Sequence, residues 1–317
     1  MTSHADTRRA FRSHTDAAPG GIPERPRRSL THPARTGMLL VSPALALVVL
    51  LVVVPLAFAV YISLTDWPLI GAYHFIGLRN YTHLNQDTVF SHSIVYTLVY
   101  TGIVTGPILV VGYLMALLVR SNRRGAGLLR TVFFLPYVIG LTTLSFFALV
   151  ELQPGTGAVN WLLQTLGITN GQTAWLISVV PATGFICVLV VWGVSGLTML
   201  LLLAGMQAIP ADVYESAELD GASRIKQELL ITVPLLRRTI ALSLIISVIG
   251  SLLAFNQFFI LTQGGPGTST ATVVLWIYEQ AFTNLHLGEA TTLSIVLVVV
   301  IGIISAVQFL ALRRDEP

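Results

Sequence analysis

Few residues in this chain could make or break bonds. Ser195 lies between glycines in Gly193-Val194-Ser195-Gly196, a setting in which a serine acts as a nucleophile only if an imidazole stands within hydrogen-bond reach. The apolar stretches contain no histidine, and His286 falls in a loop just before the last of them. Cys187, the single cysteine, sits in an apolar run; it has no disulfide partner and reads as a small packing residue. A phosphate-cradling loop needs Gly-Lys-Ser/Thr after a spaced glycine, whereas the single lysine, Lys226, follows Ile225. Neither a metal nor a cofactor is expected. What remains is a polar island, residues 207–234, that carries Glu215-Ser216-Ala217, Asp220, Gly221, Ile231 and Pro234. The chemistry open to it is non-covalent: a small, stiff knob that inserts into a groove on a neighbouring protein and transmits force.

The body that positions this island is a membrane protein. Of its 317 residues 54% are hydrophobic and only 10% charged. A helix needs ~20 apolar residues to cross the hydrocarbon core. Six stretches qualify: Leu39–Leu64, Ile94–Val119, Leu128–Val150, Leu176–Met206, Thr239–Leu261 and Thr291–Leu312. The fourth is overlong, and Pro181 and Gly184 place its true span near Thr183–Leu203. Of the 18 Lys and Arg residues, 17 fall in the N-terminal tail, between spans two and three, between spans four and five, or after span six. Only Arg79 lies in the alternate loops. The positive-inside bias therefore puts both termini and the polar island in the cytoplasm. Residues 1–37, rich in arginine and proline and without an apolar run, read as a disordered cytoplasmic tail and not a cleavable signal. Residues 38–314 form the six-helix transmembrane domain, whose longest outer loop, 65–93, is too short to be a domain of its own. The spans hold no clear buried Asp, Glu, Lys or Arg, with Glu151 at an outer helix end, which disfavours a proton- or sodium-coupled carrier.

Within the island the order of residues predicts a helix, a turn and a second helix. Pro210 opens it, and Asp212 followed three residues later by Glu215 suggests a capping box starting a helix near Val213. Gly221 is placed to stop that helix in a left-handed conformation. The second helix is expected from Ser223 to Pro234. Glu215, Glu218 and Asp220 make the first helix acidic, Arg224 and Lys226 make the start of the second basic, and the small Ala217 and Ala222 flank the bend.

The spacing Glu215-Ser216-Ala217-x3-Gly221-x9-Ile231-x2-Pro234 resembles the EAA motif of permease subunits of ABC importers, Glu-Ala-Ala-x3-Gly-x9-Ile-x-Leu-Pro, with Ser216 and Val233 as the departures. Ala208-Ile209-Pro210, Leu219-Asp220-Gly221-Ala222, Phe75-x-Gly77-Leu78-x-Asn80-Tyr81, Arg130-Thr131-x3-Leu135-Pro136 and Leu261-Thr262-x-Gly264-Gly265-Pro266 followed by Ser269-Thr270 are similar to the sugar-importer branch. The likeness covers residues 38–312. It implies an all-α membrane protein of the type I importer permease fold in a bacterial cytoplasmic membrane, with residues 207–234 as the coupling loop that rests in a cleft of an ATPase. It implies as partners a second homologous permease subunit, two ATP-binding subunits, an extracytoplasmic solute-binding protein and the surrounding membrane lipid, and no nucleic acid. The implied cargo is a sugar or oligosaccharide, with glycerol-3-phosphate or another polyol as the alternative within the class. Family members bind sugar partly from span five. The matching positions are Ser247, Gly250, Ser251 and Ala254, at i, i+3, i+4 and i+7, with Asn256 and Gln257 one turn on; Trp192 reads first as membrane-core packing, with stacking on a sugar face as the alternative. Gly193-Val194-Ser195-Gly196 is also similar to the Gly-x-Ser-Gly of rhomboid intramembrane proteases, a reading opposed by the absence of a histidine in the spans.

Overall fold

The computed structural model describes residues 34–120 and 124–313; most of the expected N-terminal tail lies outside them. The helices are, in order, α1 (Ala34–Val48), α2 (Val54–Ser63), α3 (Arg79–His83), α4 (Thr88–Val119), α5 (Ala126–Ile139), α6 (Leu141–Glu151), α7 (Ala158–Thr165), α8 (Val179–Gln207), α9 (Ala211–Leu219), α10 (Arg224–Gln227), α11 (Val233–Leu235), α12 (Arg237–Leu252), α13 (Asn256–Leu261), α14 (Val273–Tyr278) and α15 (Leu287–Arg313). Two isolated bridges, Thr65 with Phe75 and Pro68 with His286, are the β pairings among the described residues. The chain divides into two compact units, one up to Val54 and one from Pro55 onward. In the first, α1 leads into a π-turn, Val49–Val53, and its apolar side chains from Met38 to Val54 are exposed.

Five helical stretches are long and apolar enough to cross a membrane: Gly37–Ser63, Thr88–Val119, Val179–Gln207, Arg237–Leu261 and Leu287–Ala311. The third expected span is not straight. It breaks into α5 and α6, bent by 88° at Gly140, whose φ of +85° is open to glycine and strained for other residues. Counting that pair as one gives six. The fourth span is longer than expected. Pro181 falls in the first turn of α8, where a missing N–H has no partner to lose, so the helix begins at Val179 instead of near Thr183. The second begins at Thr88, not near Ile94, because the Asp87 side chain accepts the Phe90 N–H and caps it.

In the second unit α4 is the hub. It packs most extensively on α8, then on α12, α14 and α5. Tyr100, Val104 and Ile108 of α4 meet Ile186, Leu189 and Val190 of α8, with Phe258 and Leu275, in the larger core. Ala116 and Val119 join Met199, Leu202, Leu203, Met206 and Leu236 in a second core at the arginine-rich end. Close approach makes this possible: a Cβ on Gly112 would stand 2.6 Å from the Thr198 side chain, and one on Gly196 2.4 Å from the Phe133 carbonyl oxygen. The two glycines of Gly193-Val194-Ser195-Gly196 are thus packing residues that let α8 meet α5 and α6. Ser195 Oγ, fully buried, donates to the Val191 carbonyl of its own helix. On the outer side, buried Asn80 donates to the carbonyls of Ser63 (2.9 Å) and Thr65 (2.8 Å), which clamps the 65–93 loop to α2.

Gly196→Val should force α5 from α8 and destabilise the bundle by about 1–3 kcal/mol, read as a lowered unfolding temperature in detergent. Ser195→Ala should leave both stability and transport near those of the parent; loss of transport in an intact Ser195→Ala protein would restore a chemical role for that hydroxyl.

Candidate functional site: the bent segment 207–234

Segment 207–234 leaves the membrane bundle at Gln207, the last residue of α8. Pro210 takes an extended conformation and stands at the N-cap of α9, which begins at Ala211. The expected capping box between Asp212 and Glu215 does not form. With the helix starting ahead of it, Asp212 lies inside the first turn and cannot reach back as an N-cap; its carbonyl accepts Ser216 Oγ at 2.8 Å, and its charge lies at the positive end of the helix dipole.

Gly221 stops α9 as its position predicts. At φ +76° it lets the Gly221 N–H reach the Glu218 carbonyl (3.0 Å) and the Ala222 N–H the Ala217 carbonyl (2.9 Å). These are the 5→2 and 6→1 bonds of a Schellman stop. Ala217 is buried inside the bend, and Gln227 Nε2 donates to the Ala222 carbonyl. Ser223 caps α10 by accepting the Lys226 N–H at 3.4 Å.

The second helix does not end at Pro234. Helical backbone continues from α10 through a π-turn, Glu228–Thr232, into α11, and α12 follows after Leu236. A proline within a helix removes one N–H and crowds the carbonyl four residues back. The wider turn, in which the Val233 N–H reaches the Glu228 carbonyl, absorbs that defect just before Pro234.

Glu215, Ser216, Glu218, Asp220 and Gly221 are exposed on the segment, and with them a set of apolar side chains. Leu219 is 90% exposed and Ile225 72%, and Leu229 and Leu230 are also exposed. The sequence reading missed this apolar set. It also missed the contacts holding the segment to the bundle. Glu228 Oε1 accepts from Arg120 Nη1 and Oε2 from the Tyr113 hydroxyl, both at 2.9 Å. The Arg120 guanidinium lies 4.4 Å from the centre of the Tyr214 ring, and the Tyr214 hydroxyl bonds Thr232 Oγ1 at 3.0 Å. Ile231 is half-buried and Thr232 fully buried.

The residues matched to a substrate path do not converge on one space. Ser247, Ser251 and Ala254 are buried within the chain, whereas Gly250 is on the open side with nothing within 4 Å of a Cβ. Helix α12 ends at Leu252, so Ala254 lies past the break, its carbonyl accepting Thr272 Oγ1. Gln257 is buried and donates to the Tyr100 hydroxyl; Asn256, its neighbour, is exposed. Gly250 and Asn256 are exposed, as are Leu242, Ile246 and Leu253. Trp192 is half-exposed on the outside of α8. Downstream, the loop from Thr262 to Thr270 closes on itself through Gly265 N–H to Thr262 O and Thr270 N–H to Gly264 O. Among the described residues no group of His, Cys, Asp and Glu is placed to hold a metal ion.

The structure is a helical bundle with up to six stretches long and apolar enough to cross a membrane, and a bent, glycine-stopped helix pair on its arginine-rich side. Residues 108–314 match the family described as binding-protein-dependent transport system inner membrane component, and the chain belongs to that family. It is 32% identical to the sulfoquinovosyl glycerol transport system permease protein SmoG of Agrobacterium fabrum, over 88% of this chain and 91% of that one. It is also 32% identical to the trehalose/maltose transport system permease protein MalF of Thermococcus litoralis, over 81% and 85%. Its fold matches a chain in the crystal structure of a bacterial alginate ABC transporter in complex with an alginate pentasaccharide-bound periplasmic protein, with TM-score 0.76, 23% identity, and coverage of 87% and 92%. The protein is thus a multi-pass permease of the inner membrane.

Gly221→Val places a β-branched residue at φ +76°, at a cost of about 1–2 kcal/mol. Amide exchange at residues 221 and 222 should then quicken by about 5–30-fold while the protection of α4 and α8 is kept, as read by hydrogen–deuterium exchange.

Proposed function

We propose that this permease carries a carbohydrate, a sugar or oligosaccharide, across the cytoplasmic membrane in an ATP-driven, binding-protein-dependent importer, and that segment 207–234 is where the ATPase grips it. The observation that carries this reading is the open face of the bend. A Schellman stop makes the helix pair rigid, and four exposed leucine and isoleucine side chains among the charges of Glu215, Glu218, Asp220, Arg224 and Lys226 give it an unfilled docking surface. In this reading Glu215, Ser216 and Asp220 meet the ATPase, while Ala217, Gly221, Ile231 and Pro234 fix the shape presented. Two ATP-binding subunits draw two such segments together, one from this chain and one from a second, homologous permease. That movement turns the bundles between inward and outward openings.

The cargo class is supported by the relatives, whose names concern sulfoquinovosyl glycerol, trehalose and maltose. The delivery route is supported by the alginate transporter, which was crystallised with its periplasmic protein; an extracytoplasmic solute-binding protein would dock on the outer loops of this chain. Gly250 and Asn256, on the open side of α12 and α13, face the second permease and line the path between the two. Ser247, Ser251, Ala254 and Gln257 hold the helices behind them.

The test is reconstitution with the second permease, the ATPase and the binding protein in proteoliposomes. Uptake of labelled oligosaccharide should need both ATP and the binding protein, a photo-crosslinker at Leu219 should capture the ATPase, and Gly221→Val should lower uptake about tenfold relative to ATP hydrolysis. A Leu219 probe that never captures a nucleotide-hydrolysing subunit overturns the assignment.

A further inference from the structure

We infer that Glu228 and Arg120 form the clasp through which segment 207–234 drives α4, so that this pair sets how tightly ATP turnover is geared to substrate movement. The inference rests on the coupling role proposed above.

The geometry is a two-point attachment. Tyr113 of α4 and Arg120, the helically disposed residue that caps its C-terminal end, are seven residues apart and so project from one face, two turns apart. Each takes a different oxygen of the same carboxylate, both at 2.9 Å. One bond would act as a pivot, whereas two fix the rotation of α4 about its own axis as well as its distance from the segment. Arg120 is also held by the Tyr214 ring of α9, and Tyr214 is tied to Thr232, one turn past Glu228. Segment, bend and α4 thereby close into a ring of contacts: Glu228 to Arg120, Arg120 to Tyr214, Tyr214 to Thr232. The Arg120 and Glu228 side chains are each only 26% exposed, so water screens the pair less than an ion pair standing free on the surface.

The element so clasped is the one that can carry a displacement furthest. Helix α4 has 32 residues and so a length of ~48 Å, and it packs on α8, α12, α14 and α5. Its opposite end is fastened as well. Asp87 caps it through the Phe90 N–H and accepts Trp276 Nε1 at 2.8 Å with its other oxygen. A shift imposed at Glu228 therefore reaches the outer loops through one continuous element. Apart from the chain joins to α8 and α12, Leu236 just past the segment packs in one apolar cluster with Met206 and Val119, a contact that resists separation but slides more readily than a bidentate polar one.

The experiment uses the full reconstituted complex and measures ATP hydrolysed per substrate imported. It compares Glu228→Gln, Arg120→Glu, Tyr113→Phe and the exchanged pair Glu228→Arg with Arg120→Glu, each carrying the Leu219 photo-crosslinker. The single charge changes should raise the ratio about tenfold while the crosslink to the ATPase persists. Tyr113→Phe, which removes one anchor and one oxygen atom, should give a smaller rise, and the exchanged pair should bring the ratio most of the way back. A merely structural pair would lower yield and unfolding temperature without changing the ratio. An unchanged ratio in Glu228→Gln and Tyr113→Phe, both close to the parent in volume, overturns the clasp even if Arg120→Glu folds poorly. So does an exchanged pair no better geared than the single variants. Loss of the crosslink in the unsubstituted complex would instead overturn the coupling reading itself.

Discussion

Helices in lipid gain nothing from hiding apolar surface, since the surrounding chains are as apolar as leucine; they must be held by close fit. That constraint governs this structure. Helix α8 carries the glycines that meet it: Gly196 against the Phe133 backbone, Gly193 against Leu141, and Gly205 against Leu236 and Thr239. Gly112 of α4 answers on the facing helix, against Thr198. A side chain at any of these positions would push a neighbour away, and with it the van der Waals contact on which association depends. Because α8 also leads directly into segment 207–234, the fit that assembles the bundle sets where the bend emerges.

The bend obeys a different rule. Outside the hydrocarbon, backbone groups can bond to water, so its shape must be specified by its own hydrogen bonds. Gly221 supplies the one left-handed residue, Ser223 the cap for the next helix, and Ala217 the small side chain the turn closes over. What is left facing outward is apolar as well as charged. A surface of this mixed kind is suited to being covered.

Much of this was legible from the residues. Apolar run length located the spans, arginine placement oriented them, and the spacing from Glu215 to Pro234 marked the bend together with its glycine stop. What the sequence could not give were features decided by neighbours. The 88° break at Gly140 interrupts a run of uniform hydropathy, so composition reads straight through it. The capping box failed because Pro210 stands at the N-cap and α9 starts two residues earlier than expected, a choice of register that two equally good local signals cannot settle. Ser247 and Ser251 share a helical face, but that face turned out to be the one α12 buries. Glu228 and Arg120 are 108 residues apart, and nothing in either local pattern names the other.

Pro234 links these levels. Read locally, a proline at the end of a polar stretch signals a stop, and the helix continues instead. The lost N–H is absorbed by a π-turn, and a π-turn holds one more residue than the α-turn it replaces, so every side chain before it is rotated relative to the helix that follows. Glu228 opens that turn, with its carboxylate directed at α4, while Leu236 beyond it packs into the core beside Val119. A regular helix through Glu228–Thr232 would keep the second contact and swing the first away. The proline that completes the motif thus stands between two grips on the bundle, the charged one at Glu228 before it and the apolar one at Leu236 after it.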